Sequence, residues 1–241
     1  MNKEKSNWIW WVLSPIYKCA ERKKTRIKEK KDIGDEEKKK EIGLLIQELN
    51  FHYLCISIFL CVLVQLVVTI GECQPFKGWY NSPYKDIYGT LVIVFSWFYL
   101  FSRANEIFKA FLNDAVCKLD RDESTNSLKY GERLKLALNS YIELILLFAM
   151  VYFLSPSDFF CFKESHNFHS IFEAIYFSGV TITTLGYGDI TPINLFIQLT
   201  TIYEVLVGFS LIIVSFAVYS NLAIAEQKCN NQKTCGSRFW R

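Results

Sequence analysis

The chain has 241 residues, of which 51% are hydrophobic and 16% aromatic, and its formal net charge is +3. It is more apolar than an ordinary soluble domain and its charges are concentrated in a few segments, so we expect an integral membrane protein. Its three histidines stand in no pairing of nucleophile and base, and no glycine loop has the phosphate-cradling pattern, so we expect no enzyme, no cofactor and no nucleic-acid partner.

The N-terminal segment, residues 1–50, is predicted to be cytosolic. It holds 13 Lys and Arg residues, and basic residues accumulate on the cytosolic side of membranes. Its apolar patch, Trp8–Leu13, is too short for a signal peptide, and it either rests in the interface or is buried on the protein. The basic stretch Arg22–Lys31 is interpreted either as a solvated helix face or arm, or as a surface that attracts anionic lipid.

Two apolar stretches, Phe51–Ile70 and Ile87–Phe101, predict a transmembrane hairpin over residues 51–103. The second is only about 15 residues long, so we expect it to start earlier or to lie in a thinned bilayer. Neither stretch has internal Lys or Arg, whereas a voltage sensor needs a helix with repeated basic residues. We therefore expect weak voltage dependence. The hairpin is interpreted as packing around the rest of the protein or as a ligand or lipid sensor.

The basic residues predict how the chain crosses the membrane. Residues 102–135 carry seven Lys and Arg, whereas the loops near Lys77–Lys85 and near Lys163 carry two and one. Residues 104–135 should therefore be a cytosolic linker, and residues 155–191 should lie outside. These assignments predict a multi-pass protein of the cell membrane with both termini in the cytosol.

A short helix is predicted over Phe168–Ile182, between two further spans at Leu136–Leu154 and Ile193–Ala225. Ser170 is its predicted N-cap, and Glu173 would complete a capping box. At about 20 Å it is too short to cross a hydrocarbon core of about 30 Å, so we expect a re-entrant element. The negative end of its dipole would then favour a cation in the middle of the membrane.

The last span is predicted to start at Thr191 and Pro192, with the proline at the first helical position. If it continues to Ala225, the helix is about 50 Å long, which exceeds the bilayer core and requires a tilt. Gly208 lies in this span, twenty residues after Gly188.

The sequence Thr-Leu-Gly-Tyr-Gly-Asp stands at residues 184–189, between the short helix and the last span. Gly186 and Gly188 can take positive φ at little steric cost, which lets neighbouring carbonyl groups point at one axis. Four such loops can replace the hydration shell of K⁺ with rings of carbonyl oxygens. Together with Thr181, this motif resembles the selectivity filter of potassium channels, and the resemblance extends over about residues 136–225.

The resemblance implies a role for each filter residue. The innermost ion site would use the hydroxyl and carbonyl of Thr184, and the outer sites would use the carbonyls of Leu185, Gly186 and Tyr187. Gly188 would close the filter mouth. Leu185 stands where the family usually has Val or Ile, but its carbonyl remains available, so we expect selectivity to survive.

Four residues are predicted by the resemblance to support the filter: Tyr176, Phe177, Thr181 and Asp189. Tyr176 and Phe177 stand where the family often has the tryptophans that hold the filter tyrosine, so we expect a filter that inactivates more readily. Gly208 matches a glycine at which the inner helix of such channels bends during gating.

The resulting prediction is an all-α membrane protein with four transmembrane helices, a re-entrant pore helix and a selectivity-filter loop. One chain has one such loop, so a ring of four requires a homotetramer in the lipid bilayer. The pore domain is predicted at residues 136–225 and a cytosolic tail at 226–241. The predicted function is passive conduction of K⁺, with a non-conducting or accessory channel subunit as the alternative.

Two carboxylates and two cysteines are further candidates. Glu143 and Glu204 fall within predicted spans, where they would modulate the pore or pair with Arg133 or a pore-helix hydroxyl. Structural roles are favoured for both. Cys73 and Cys161 are both predicted outside, where a disulfide between them would persist.

Overall fold

The computed structural model describes residues 15–30, 34–72, 85–119, 127–163, 167–213 and 224. Two short strands and a series of helices follow one another along these ranges. The helices are α1 (Pro15–Glu29), α2 (Asp35–Glu72), α3 (Lys85–Leu119), α4 (Tyr130–Leu154), α5 (Ile171–Ile182) and α6 (Leu195–Ile212); the strands are β1 (Phe160–Phe162) and β2 (Ile190–Pro192).

Three helices in the described ranges are long and apolar enough to cross a membrane, namely Asp35–Ile70, Tyr130–Leu154 and Leu195–Ile212. They coincide with the first, third and fourth predicted spans, and the fourth is described as regular helix only to Ile212. The second predicted span lies inside α3, which continues past Phe101 to Leu119. The helix therefore extends beyond the predicted span at both ends, and the predicted linker begins as helix. That α3 crosses the membrane stays a prediction.

The start of α6 differs from the prediction. Pro192 belongs to β2, where it pairs with Phe160, and the helix begins at Leu195. Asn194 is the N-cap, because its side-chain oxygen accepts a hydrogen bond of 2.9 Å from the backbone N–H of Phe196. Proline lacks an N–H but is tolerated on an edge strand, which is why the local signal for a helix start was misleading.

Replacing Asn194 with alanine is expected to cost about 0.5–2 kcal/mol of the free energy of unfolding, because the Phe196 amide loses its partner. Chemical unfolding in detergent micelles, followed by circular dichroism, measures this cost. Asn194→Asp is the matched control, since it keeps the acceptor and should stay close to wild type. Equal stability of the alanine and aspartate variants would contradict the assignment of the cap.

The N-terminus of α5 is capped from another helix. Ser170 has extended backbone angles at the N-cap position, but its side chain makes no capping hydrogen bond. The N–H of Ile171 instead donates to Oε1 of Gln65, on α2, over 2.8 Å, and Oε2 of Glu173 accepts from the N–H of His169. The predicted capping box is therefore wrong, while the predicted end of the helix at Ile182 is confirmed.

Helix α4 lies at the centre of the molecule, in contact with α2, α3, α5 and α6. Its side chains from Leu144 to Tyr152 include several that are fully buried. The Tyr152 ring packs edge-on against Phe177 of α5, with 5.0 Å between ring centroids. This packing seats the short helix α5 against the core on one side and leaves its other side exposed.

Arg103 of α3 and Glu143 of α4 form a buried ion pair. Arg103 Nε and Nη2 donate to the two carboxylate oxygens of Glu143 over 2.6 and 3.0 Å, and Nη1 lies 2.8 Å from Glu106. The guanidinium also lies over the ring of Tyr53, 3.8 Å from its centroid. Glu143 is completely buried. It pairs with Arg103 because α3 continues past the predicted span and places this residue beside α4.

The predicted pairing of Glu143 with Arg133 is therefore wrong. Arg133 contacts Asp114 on α3 and donates to the carbonyl of Leu128 over 3.2 Å. A further polar contact joins α2 to α4, where Asn50 donates to Ser140 over 2.8 Å. The α2 and α3 hairpin is thus fastened to α4 by buried polar contacts as well as by apolar packing.

Strands β1 and β2 form an antiparallel pair, with Cys161 opposite Thr191. A further backbone bond of 3.0 Å runs from the N–H of Lys163 to the carbonyl of Asp189. The pair therefore ties the segment after α4 to the segment that follows the glycine motif. Cys161 is a free, exposed thiol, and Cys73, its predicted partner, lies outside the described residues.

Candidate ion-conducting loop

The loop after α5 has alternating residues with positive φ. Thr184, Gly186 and Gly188 have φ values of 62°, 53° and 72°. The expectation of positive φ at the two glycines is confirmed. Thr184 was not expected to share this conformation, which is uncommon for a β-branched residue and costs of order 1 kcal/mol or more. Such strain persists only where the surrounding structure imposes it.

Hydrogen bonds from the loop to the end of α5 impose this conformation. The N–H of Thr184 donates to the carbonyl of Thr181 over 2.9 Å. The N–H groups of Leu185 and Gly186 both donate to the carbonyl of Val180, over 3.0 and 3.3 Å. These three bonds use amide groups of the loop as donors, so they occupy none of the carbonyl groups of residues 184–188. Thr181, a predicted support residue, thus acts through its main chain.

The loop is open on one side in a single chain. Residues 183–188 are all exposed, and the side chains of Leu185 and Tyr187 are 61% and 64% exposed. An exposed backbone of this kind is tolerated at membrane depth only where other protein buries it or where it lines a water-filled cavity. The exposed face of the loop therefore needs one of these two environments.

Tyr176 of α5 lies against the loop. Its ring is stacked on that of Tyr187, with an interplanar angle of 7° and 6.5 Å between centroids. The carboxylate of Asp189 lies close enough to its hydroxyl to raise the pKa of Tyr176 above its ordinary value, chiefly through hydrogen bonding. Two of the predicted support residues, Tyr176 and Asp189, are thus brought together with Tyr187, the tyrosine of the predicted filter.

Phe177, the next residue of α5, faces the core. It is buried, and its ring packs edge-on against Tyr152 and Phe160. Within one chain it supports the seat of α5 and not the loop itself. Adjacent positions on a helix point about 100° apart, which explains why the two aromatic residues have different neighbours.

Gly208 lies within the regular helix α6 and faces α5. A Cβ atom at this position would lie 2.3 Å from Cγ1 of Ile182 and 2.9 Å from its Cδ1. The helix continues through Gly208 to Ile212. The glycine therefore permits close approach of α6 to the end of α5, a role that the spacing in the sequence did not reveal.

Residues 140–225 match a family model described as Ion channel. The chain is 46% identical over 50 residues to "Two-pore potassium channel 2" of Arabidopsis thaliana, covering 20% of this chain and 11% of that protein. It is 36% identical over 85 residues to "Putative potassium channel protein YugO" of Bacillus subtilis (strain 168), covering 35% of this chain and 23% of that protein. No solved structure matches the chain.

The chain thus spans about a tenth and about a quarter of the lengths of these two curated relatives. The family match includes most of α4 and all of α5, the glycine loop and α6. Residues 140–225 of this chain are therefore similar to an ion-channel family, and parts of the chain are similar to two proteins described as potassium channels.

Proposed function

We propose that the chain is the pore-forming subunit of a K⁺-selective channel that conducts passively as a homotetramer. The observation that carries this proposal is the loop of residues 184–188, in which positive φ alternates along the chain and the amides of Thr184, Leu185 and Gly186 donate to carbonyls of α5. We propose that the carbonyl oxygens of this loop replace the water around K⁺. Thr184, Leu185, Gly186, Tyr187 and Gly188 are proposed as the filter residues.

The exposed surfaces support four copies around one axis. The loop is open on one side, and α6 carries a stripe of apolar side chains that are each more than half exposed. Its members recur at intervals of four and three residues, which places them along one face of the helix: Leu195, Leu199, Ile202, Leu206 and Phe209. Contact with neighbouring subunits and with the pore would account for this face, and closed cyclic symmetry gives each loop the same environment.

The proposed channel is only weakly sensitive to voltage. Arg103, which lies close to the predicted second span, is held by two hydrogen bonds to Glu143 and by an ion pair with Glu106. A charge fixed in this way cannot move through the membrane field without breaking a buried pair, which is costly. The proposal places the protein in the cell membrane with both termini in the cytosol, and it keeps Gly208 as the point at which α6 bends.

The reversal potential of the purified protein in planar bilayers tests the proposal. Under a KCl gradient, we expect a reversal near the equilibrium potential of K⁺, and a large shift when Na⁺ replaces K⁺ on one side. Gly186→Ala should abolish the selective current, because alanine is strained at a φ of 53°.

Gly131→Ala is the matched control. Gly131 lies in α4, away from the loop, and a Cβ atom there meets nothing within 4 Å, so its current should equal that of wild type. Equal permeability to Na⁺ and K⁺ would contradict the proposed selectivity. No current from a folded tetramer would favour the accessory-subunit alternative, and a measured mass other than four chains would contradict the proposed assembly.

A further inference from the structure

Glu204 is a completely buried carboxylate at the point where α4, α5 and α6 meet. The hydroxyl of Ser178, on α5, donates to its Oε1 over 2.5 Å. The hydroxyl of Tyr152, on α4, donates to its Oε2 over 2.7 Å. Each carboxylate oxygen therefore accepts a hydrogen bond from a different helix, and Glu204 joins α6 to α4 and to α5.

The bond to Ser178 belongs to a longer contact between α6 and α5. Glu204 and Gly208 are four residues apart on α6, and Ser178 and Ile182 are four residues apart on α5, so each pair shares one helix face. Gly208 approaches Ile182 so closely that a Cβ atom would collide with it. The two helices thus meet at two contacts, one turn apart. One is the hydrogen bond between Glu204 and Ser178, and the other is the close approach of Gly208 to Ile182.

A carboxylate is an expensive choice for a contact of this kind. Two apolar side chains of similar volume would pack there without desolvation cost, whereas a polar group at membrane depth must be matched by precise hydrogen bonds. What the carboxylate adds is a fixed position, because a hydrogen bond of about 2.5–2.7 Å is directional and apolar packing is not. One of the residues held in this way, Ser178, stands two positions before Val180, to whose carbonyl the loop is hydrogen-bonded.

The end of α5 is hydrogen-bonded to the loop, so the position of α5 determines the position of the loop. Ser178 precedes Val180 and Thr181, whose carbonyls accept the amides of Leu185, Gly186 and Thr184. We propose that Glu204 is a positioning residue of the filter, which holds α5 through Ser178 and so fixes the carbonyls on which the loop is anchored. This inference rests on the proposed function.

Thermal unfolding in KCl and in NaCl of equal ionic strength tests the inference without a measurement of current. An ion that binds only the native filter raises the midpoint of unfolding. We expect the wild-type tetramer to unfold about 3 °C or more higher in KCl than in NaCl. Glu204→Leu and Ser178→Ala should each lose about half or more of this K⁺-specific rise, because the filter is no longer held in register.

Three further variants sharpen the result. The double variant should lose no more of the rise than Glu204→Leu alone, since both changes break one contact. Glu204→Gln keeps an acceptor and adds a donor, so it should retain most of the rise. Thr201→Val is the matched control, because its hydroxyl bonds only to the carbonyl of Gln198 within α6 in this structure, and it should retain all of the rise.

The outcomes separate the inference from the proposed function. A full K⁺-specific rise in both Glu204→Leu and Ser178→Ala, or an equal loss in Thr201→Val, overturns the role of Glu204 and leaves the proposed function standing. No K⁺-specific rise in the wild type, together with no K⁺ current, overturns the proposed function. If Glu204→Leu does not assemble, the decision falls to Ser178→Ala, which removes one hydroxyl only.

Discussion

Replacing Arg103 with leucine is expected to destabilise the folded protein by about 3–5 kcal/mol, because the change leaves a buried carboxylate without its partner. Glu143 is completely buried and Glu106 is almost so, and both face the guanidinium of Arg103. The leucine also loses the contact of the guanidinium with the Tyr53 ring. The measurement is the free energy of unfolding in detergent micelles.

The double variant Arg103→Leu with Glu143→Leu distinguishes a buried charge from lost packing. It should be more stable than Arg103→Leu alone, since the second change removes the unpaired carboxylate. Arg26→Leu, at an exposed position on α1, is the control for the removal of a positive charge and should stay within about 0.5 kcal/mol of wild type. A double variant less stable than Arg103→Leu would show that the carboxylate is not what makes the single change costly.

Replacing Gly208 with alanine is expected to cost about 1–3 kcal/mol of the free energy of unfolding, because the added methyl group overlaps Ile182. The sign of the effect is informative. If Gly208 served only as a flexible point in α6, alanine would stabilise the helix by about 0.5–1 kcal/mol. Close approach thus predicts that Gly208→Ala lowers the free energy of unfolding, whereas flexibility alone predicts that it raises it.

A second substitution checks where the overlap occurs. Ile182→Ala removes the two atoms nearest to the added methyl group. The loss of stability in the double variant Gly208→Ala with Ile182→Ala should therefore be smaller than the sum of the two single losses. Gly131→Ala has open space around its Cβ atom and should be neutral or slightly stabilising. Additive effects of Gly208→Ala and Ile182→Ala would contradict a direct contact.

Features that depend on local sequence were predicted from it. The long apolar stretches predicted α2, α4 and much of α6, because hydropathy decides which segments can cross a membrane. The end of the pore helix and the positive φ of Gly186 and Gly188 were also predicted, since glycine is required there for steric reasons. The positive φ of Thr184 carries no such signal, because the hydrogen bonds of the loop impose it.

Features that depend on distant residues were missed. The partner of Glu143 is 40 positions away, and the cap of α5 comes from Gln65, 106 positions before Ile171. Neither pairing has a local pattern, whereas the capping box at Ser170 and the proline at position 192 had patterns that the fold does not use. The pairing of β1 with β2 was missed for the same reason, since three-residue strands are too short to show alternation.

The hydrogen bond from Ile171 of α5 to Gln65 of α2 bears on whether residues 127–225 can fold without the helices that precede them. The match to the ion-channel family begins inside α4, yet the first helix of the hairpin supplies the acceptor for an amide at the start of the pore helix. A chain shortened to begin at residue 127 would lose this acceptor, and it would also leave Glu143 without Arg103. We therefore expect α2 and α3 to fold together with the helices that follow them. A domain with the same glycine motif but without these two helices would need other residues to accept from the first amide of the short helix and to pair with the buried carboxylate.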